Sequence, residues 1–191
     1  MFLFSRPDES RIRTILASQR TRDFSYPEVG ASLGDLPAGY AVLSGRVDLG
    51  RGAAAFDRAV QVLRQWKMFD VPGIQLCWPV PIRPGEAVAV VIKHFGFWSL
   101  NCCRIVYVVD EDGPIRRFGF AYGTLPQHAE RGEERFCLEW DRASNFVCYD
   151  ILSFSRPGNF AVGGAYPLAR RLQRTFLQRS LAVMAESVQQ K

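Results

Sequence analysis

Long apolar runs are missing from this chain of 191 residues. None approaches the roughly 18 consecutive apolar residues that a membrane-spanning helix needs. The apolar residues at its start, Met1 to Phe4, have no basic segment ahead of them. They fall short of the about 7–15 residues of a signal-peptide core, so a cytoplasmic location is expected. Histidine is scarce, with only His94 and His128. Two histidines and scattered cysteines do not make the about four ligands of a zinc site at any usual spacing, so no metal and no other cofactor is expected. The cysteines, Cys77, Cys102, Cys103, Cys137 and Cys148, are odd in number and none lies in a CxxC. That argues against a disulfide framework and for reduced core thiols. No cysteine has a basic neighbourhood marking a nucleophile, and no GxSxG elbow, internal repeat or low-complexity tract is present.

Two motifs fail on context. Gly50-Arg51-Gly52-Ala53-Ala54-Ala55 has the GxGxxA form between a strand and a helix, with Asp70 downstream. A dinucleotide site would need that acid at the end of a second parallel strand, whereas Asp70 precedes a strand. His128-Ala129-Glu130 has the H-x-E form of zinc deaminases without the P-C-x-x-C that completes their ligand set.

Hydrophobic residues make up 48% of the chain, ample for one well-cored domain. The net charge is +5, and from Ile151 onward five Arg and one Lys face only Glu186. The excess therefore belongs to the C-terminal segment. No nucleic-acid partner is expected, because the polar face there lacks interleaved aromatics.

Hydrophobic periodicity predicts the elements. Residues 7–22 read as a surface helix and 23–39 as a loop anchored by Phe24 and Tyr26. Residues 40–49 read as a strand. Residues 53–69 read as a helix with Phe56, Ala59, Val60, Leu63 and Trp66 on one face. The period then becomes two, giving six strands at 74–78, 87–95, 102–110, 116–125, 133–140 and 146–154. Short turns between them predict antiparallel pairing. Pro167 opens a last helix, 167–188, with Leu168, Leu172, Phe176, Leu181, Met184 and Val188 in one stripe. Residues 1–39 are expected to pack on a single domain spanning 40–191.

This order predicts an α+β fold: a curved seven-stranded antiparallel sheet wrapped on a long C-terminal helix, plus an N-terminal helix. Over about residues 40–188 it resembles the helix-grip fold of the START and Bet v 1 superfamily, a likeness that implies an apolar cavity between sheet and helix. A closed lipocalin-like barrel fits the two helices less well. The segments FSYPEVGAS (24–32), LGRGAAAFDRAVQVLRQW (49–66), YGTLPQHAERGEERF (122–136) and FSRP (154–157) resemble the uncharacterised DUF1990 (UPF0548) family. Where that family's motif carries a small residue and a Pro beside its His, this chain has Gln127 and Ala129. The family has no settled activity, so the likeness assigns no catalytic role.

The densest packet of polar residues is the loop between the aromatic strands Phe118–Phe120–Tyr122 and Phe136–Leu138–Trp140. The candidate ligand-binding residues are Arg104, Tyr122, Thr124, His128, Glu130, Glu133 and Arg156. Tyr122 and Thr124 share the inward face of Phe118 and Phe120. Glu133 and Glu134 must point to opposite faces of their strand, so at most one can join the Phe136 face. Glu133 reads most simply as a loop-closing carboxylate that accepts backbone hydrogen bonds and pairs with an Arg. Arg104 is either a buried partner for a ligand anion or an outward arginine. Three functions follow. The first is binding of an apolar small molecule under the last helix. The second is a cyclase- or hydrolase-type enzyme with His128 as base and Glu130 or Glu133 as its orienter. The third is contact with an anionic membrane surface through Arg170, Arg171 and Arg174.

Overall fold

The computed structural model describes residues 1–94, 96–158 and 166–189, with the backbone alone over 166–169. Eight strands and three α-helices follow one another among them. They are β1 (Phe2–Leu3), α1 (Glu9–Gln19), β2 (Ala41–Arg51), α2 (Gly52–Arg64), β3 (Ile74–Cys77), β4 (Ala87–Lys93), β5 (Trp98–Glu111), β6 (Ile115–Thr124), β7 (Glu130–Asp141), β8 (Phe146–Pro157) and α3 (Tyr166–Gln189).

Seven strands form one antiparallel sheet in the order β2-β8-β7-β6-β5-β4-β3, and β1 adds at one end of β5. β1 pairs with Trp98 and Ser99, beyond the point where β6 stops opposite Cys103. Two residues are too short for a periodic signal, so this strand was invisible in the sequence. Register shifts at Asp48/Gly50 and Ile105/Tyr107 interrupt the ladders. Such bulges increase local twist and help a sheet curl.

The concave face holds the main core. Phe118, Phe120 and Tyr122 of β6, Phe136 and Leu138 of β7, and Tyr149 and Ile151 of β8 pack there against α2 and α3. α2 buries Ala55, Phe56, Ala59 and Leu63, the stripe its spacing predicts. Full burial of Phe56 and Leu63 contributes roughly 1.5–3 kcal/mol each. The helix stops at Arg64, before the predicted Phe69, because Trp66 takes the left-handed conformation with φ of 59°. That bend lets the Trp66 indole donate to Val80 O at 2.8 Å and set its ring against Phe120, 4.8 Å between centroids. A short 3-10 turn, Lys67–Phe69, follows.

α3 covers the concave face with Leu177, Met184 and Val188 buried and Phe176 and Leu181 packed at the margin. Gly45 on β2 makes this approach possible: a Cβ there would lie 2.9 Å from Leu181 Cδ1. The side chain of Leu168, placed on the same stripe by the sequence, lies outside the described residues, as does Phe95.

The convex face carries a second, smaller core. Leu3 and Ile12 of the N-terminal segment pack on Cys77, Ala89, Val91, Leu100, Cys102 and Leu125. α1 is shorter than the predicted 7–22. Asp8 is its N-cap, accepting from Arg11 N at 2.8 Å, and Arg20 closes its end. All five cysteines are free.

Candidate functional site

Sheet and α3 do not fill the space between them. A cavity of about 290 Å³ remains toward the N-terminal half of α3, open on one side. Its walls are mostly apolar, with Leu43, Phe69, Ile74, Val90, Ile92 and Phe176 among them. Its volume lies at the lower end of the range for small-molecule pockets.

Polar groups enter this cavity at three places. On the floor, Tyr122 of β6 donates its hydroxyl to Glu134 Oε2 of β7 at 2.6 Å. Tyr122 and Glu134 are cross-strand partners on the concave face. Burial pushes the Glu134 carboxyl up to about 7, Glu130 adds to the rise, and only the Tyr122 hydrogen bond opposes it. Burial also raises the Tyr122 phenol well above its ordinary range.

At the α3 side, Gln173 Nε2 donates to Glu130 and, at 3.0 Å, to Ser155 Oγ. Arg170 Nη1 in turn donates to Gln173 Oε1 at 2.8 Å, and Nη2 to Val42 O at 3.1 Å. Burial raises the Glu130 carboxyl, against the lowering by Gln173, Arg170 and Ser155. At the opposite side, His94 Nε2 and Ser99 Oγ are 2.8 Å apart, and Asn101 Nδ2 donates to Ser99 Oγ at 2.9 Å.

The seven residues singled out from the sequence divide between two environments. Tyr122, Thr124, His128 and Glu130 line the cavity. Thr124 Oγ1 is held by Ser25 Oγ at 2.6 Å and accepts from Gly132 N at 3.0 Å, so it also ties the strand end to the N-terminal loop. His128 Nδ1 lies 3.0 Å from the backbone N of Glu130 and 3.1 Å from its carbonyl O, so the ring is held by the backbone of its own loop. No carboxylate orients it among the described residues, so the expected His–Glu pair is not assembled. Burial first, then the N-terminal ammonium, pulls its pKa down to about 3. The ring is therefore neutral throughout the physiological range.

Glu133 borders the same cavity but directs its carboxylate to the convex face. It accepts from Tyr26 Oη at 2.6 Å, Gly30 N at 2.8 Å, Ser32 N at 3.1 Å and Ser32 Oγ. It closes the loop as expected of a hydrogen-bonded carboxylate, but hydroxyl and backbone donors stand where an Arg was expected. The nearby arginine, Arg135, instead pairs with Asp150 at 2.7 Å and donates to Ser32 O. Arg104 is outside the cavity as well. Its Nη1 donates to Arg20 O and Arg22 O at 2.9 Å each, and its guanidinium lies 4.3 Å over the Phe24 ring. It satisfies carbonyls beyond the end of α1, the outward alternative of the two. Arg156 lies over Tyr40 at 4.6 Å, also outside the cavity. Of the basic group on α3, Arg171 and Arg174 are exposed, whereas Arg170 is engaged as above.

Glu134 lines the cavity too, although the sequence, which offers Glu130, Glu133 and Glu134 as carboxylates for acid/base work, left it out of the candidate set. Strand alternation already placed it on the Phe136 face, opposite Tyr122. The signal is strand parity, which puts Glu134 and not Glu133 on the Tyr122 face.

Among the described residues no three His, Cys, Asp or Glu side chains converge to hold a metal, and no helix is long and apolar enough to cross a membrane.

A curved antiparallel sheet gripping a C-terminal helix, with an open cavity between them, defines a helix-grip architecture. Residues 25–183 match the family described as "Domain of unknown function (DUF1990)", and the chain belongs to that family. It is 34% identical to a "UPF0548 protein" of Dictyostelium discoideum, covering 98% of this chain and 96% of that protein. It is 38% identical to a "UPF0548 protein" of Deinococcus radiodurans, over 91% and 92% of the two chains. Among solved structures, Ara h 8.0201 matches with a TM-score of 0.45 at 11% identity, over 78% of this chain and 98% of that one. Human STARD10 matches with a TM-score of 0.39 at 8% identity, over 93% and 81%.

Proposed function

We propose that this protein binds a small, mostly apolar molecule between its sheet and α3. The observation that carries the reading is the cavity itself: about 290 Å³ of apolar-walled space, open on one side, with the Tyr122–Glu134 pair on its floor. Mostly apolar walls with a few convergent polar groups are the usual composition of a ligand site. The apolar wall supplies affinity through area removed from water, about 25 cal/mol per Å² before the costs of ordering. Tyr122, Glu134, Glu130 and Gln173 fix the orientation of the ligand's polar end. The carboxyl of Glu134, held near neutrality, can also give or take a proton there, which is the chemistry a weakly catalytic role would use.

The test is native mass spectrometry of the purified protein and of Leu172→Trp, which fills the cavity from the α3 side. A co-purifying organic molecule carried by the wild type and absent from Leu172→Trp is expected. Equal retention by both proteins would place the ligand elsewhere. An empty wild type that takes up no member of a library of small apolar compounds would end the proposal.

A further inference from the structure

The cavity walls carry an imbalance of charge. Glu134 and Glu130 lie on the same face of β7, with only Gly132 between them on that face. Both line the cavity and neither forms an ion pair among the described residues. Glu134 Oε2 takes the Tyr122 hydroxyl, while Oε1 has no hydrogen-bond partner among them. Glu134 is half-buried, and the surface it keeps faces the cavity. Among the described residues the groups that act on Glu134 are Tyr122 on β6, Glu130 on β7, Cys103 on β5 and Tyr149 on β8, and none of these is a cation. Arg170 lowers the Glu130 carboxyl directly by its charge, reaches it also through Gln173, and is committed to Val42 O as well. Lys93, at the other end, lies 5.8 Å over the Trp98 ring. A carboxylate in apolar surroundings without a cation is costly.

Resting on the reading of the cavity as a ligand site, we propose that it selects molecules joining an apolar body to a protonated amine, the ammonium seated on Glu134 Oε1 with Glu130 reinforcing the field. The apolar body then occupies the space between Ile92, Phe69 and Phe176, and the ammonium supplies the missing cation. Burial holds the Glu134 carboxyl near 7, and an arriving ammonium favours its ionised form. Binding at neutral pH therefore releases protons, and affinity for the amine climbs from pH 6 to pH 8.

Three probes with one apolar body separate this proposal from the reading beneath it: naphthylethylamine, naphthylethanol and naphthylacetate, titrated calorimetrically into the full chain at pH 7. The amine is expected to bind at least about tenfold more tightly than the alcohol, as befits a close charge pair, with the acid weakest. Its apparent enthalpy should vary with the buffer's ionisation enthalpy. Glu134→Gln should bring the amine down to the alcohol's affinity and leave the alcohol unchanged, and Glu130→Gln should weaken the amine by a smaller factor. Alcohol binding as tight as the amine would overturn the amine preference while leaving the ligand site standing. Amine preference that survives both substitutions would also overturn it. Binding of none of the three would count against the site as well as its preference.

Discussion

Glu134→Gln is expected to stabilise this protein above neutral pH. In the unfolded chain the carboxyl titrates near its ordinary value of 4.5, and in the folded protein burial raises it to about 7. Between those values the folded state holds the proton that the unfolded state has lost, so stability falls as pH climbs through that window and levels off above it. The difference of 2.5 between 4.5 and about 7 corresponds to about 3 kcal/mol, at 1.36 kcal/mol for each unit. Gln keeps the shape and an oxygen to accept the Tyr122 hydroxyl, and the rise to about 7 already includes that hydrogen bond to the ionised form. Wild type and variant should therefore lie within about 1 kcal/mol at pH 4.5, and the variant should lead by about 3 kcal/mol at pH 8. Urea unfolding at the two pH values measures this as a shift of midpoint at constant slope. A variant less stable than wild type at pH 8, or a difference independent of pH, would refute a carboxyl buried without a counter-ion. A group that costs stability at working pH is the kind of local conflict found at functional sites.

Glu133 carries the opposite expectation. Glu133→Ala strands the donors of Tyr26, Gly30 and Ser32 and should cost about 3 kcal/mol, read as a lower urea midpoint and faster proteolysis of residues 24–34. Gly123→Ala should act on the same contact from the sheet, since its new Cβ would press on the Tyr26 and Phe24 rings, and its effect should be less than additive with Tyr26→Phe in a double-mutant cycle. Arg104→Ala should cost about 1–2 kcal/mol through the two carbonyls it leaves, and should not change the calorimetric affinity for naphthylethylamine. A tenfold loss of affinity there would return Arg104 to the ligand site.

Much of this fold was legible in the chain because its determinants are local. The alternation of Phe118, Phe120 and Tyr122 reports one buried sheet face directly, and the spacing of Phe56, Ala59 and Leu63 reports a helix stripe. Side-chain partners chosen across long separations were not legible. Arg104 meets carbonyls more than 80 positions away, and Glu133 meets a loop about 100 positions away. Nothing in the residues near either one indicates which face of the sheet the N-terminal segment will cover. The end of α2 was misplaced for a related reason: Trp66 adopts a left-handed turn because Val80 and Phe120 give its indole a better environment than another helical turn would. Glu134 is the instructive case. Its orientation follows from counting along β7, but its importance appears only when the sheet, α3 and Tyr122 together remove its water.

The central claim is that the space between sheet and α3 admits a ligand, and amide shifts under titration with the neutral probe naphthylethanol test it most directly. Saturable shifts are expected at Ile92, Ser153, Gln173 and Phe176, which surround the cavity. Shifts that never saturate, or that gather on the convex-face residues Ile12, Ala89 and Leu100, would contradict it.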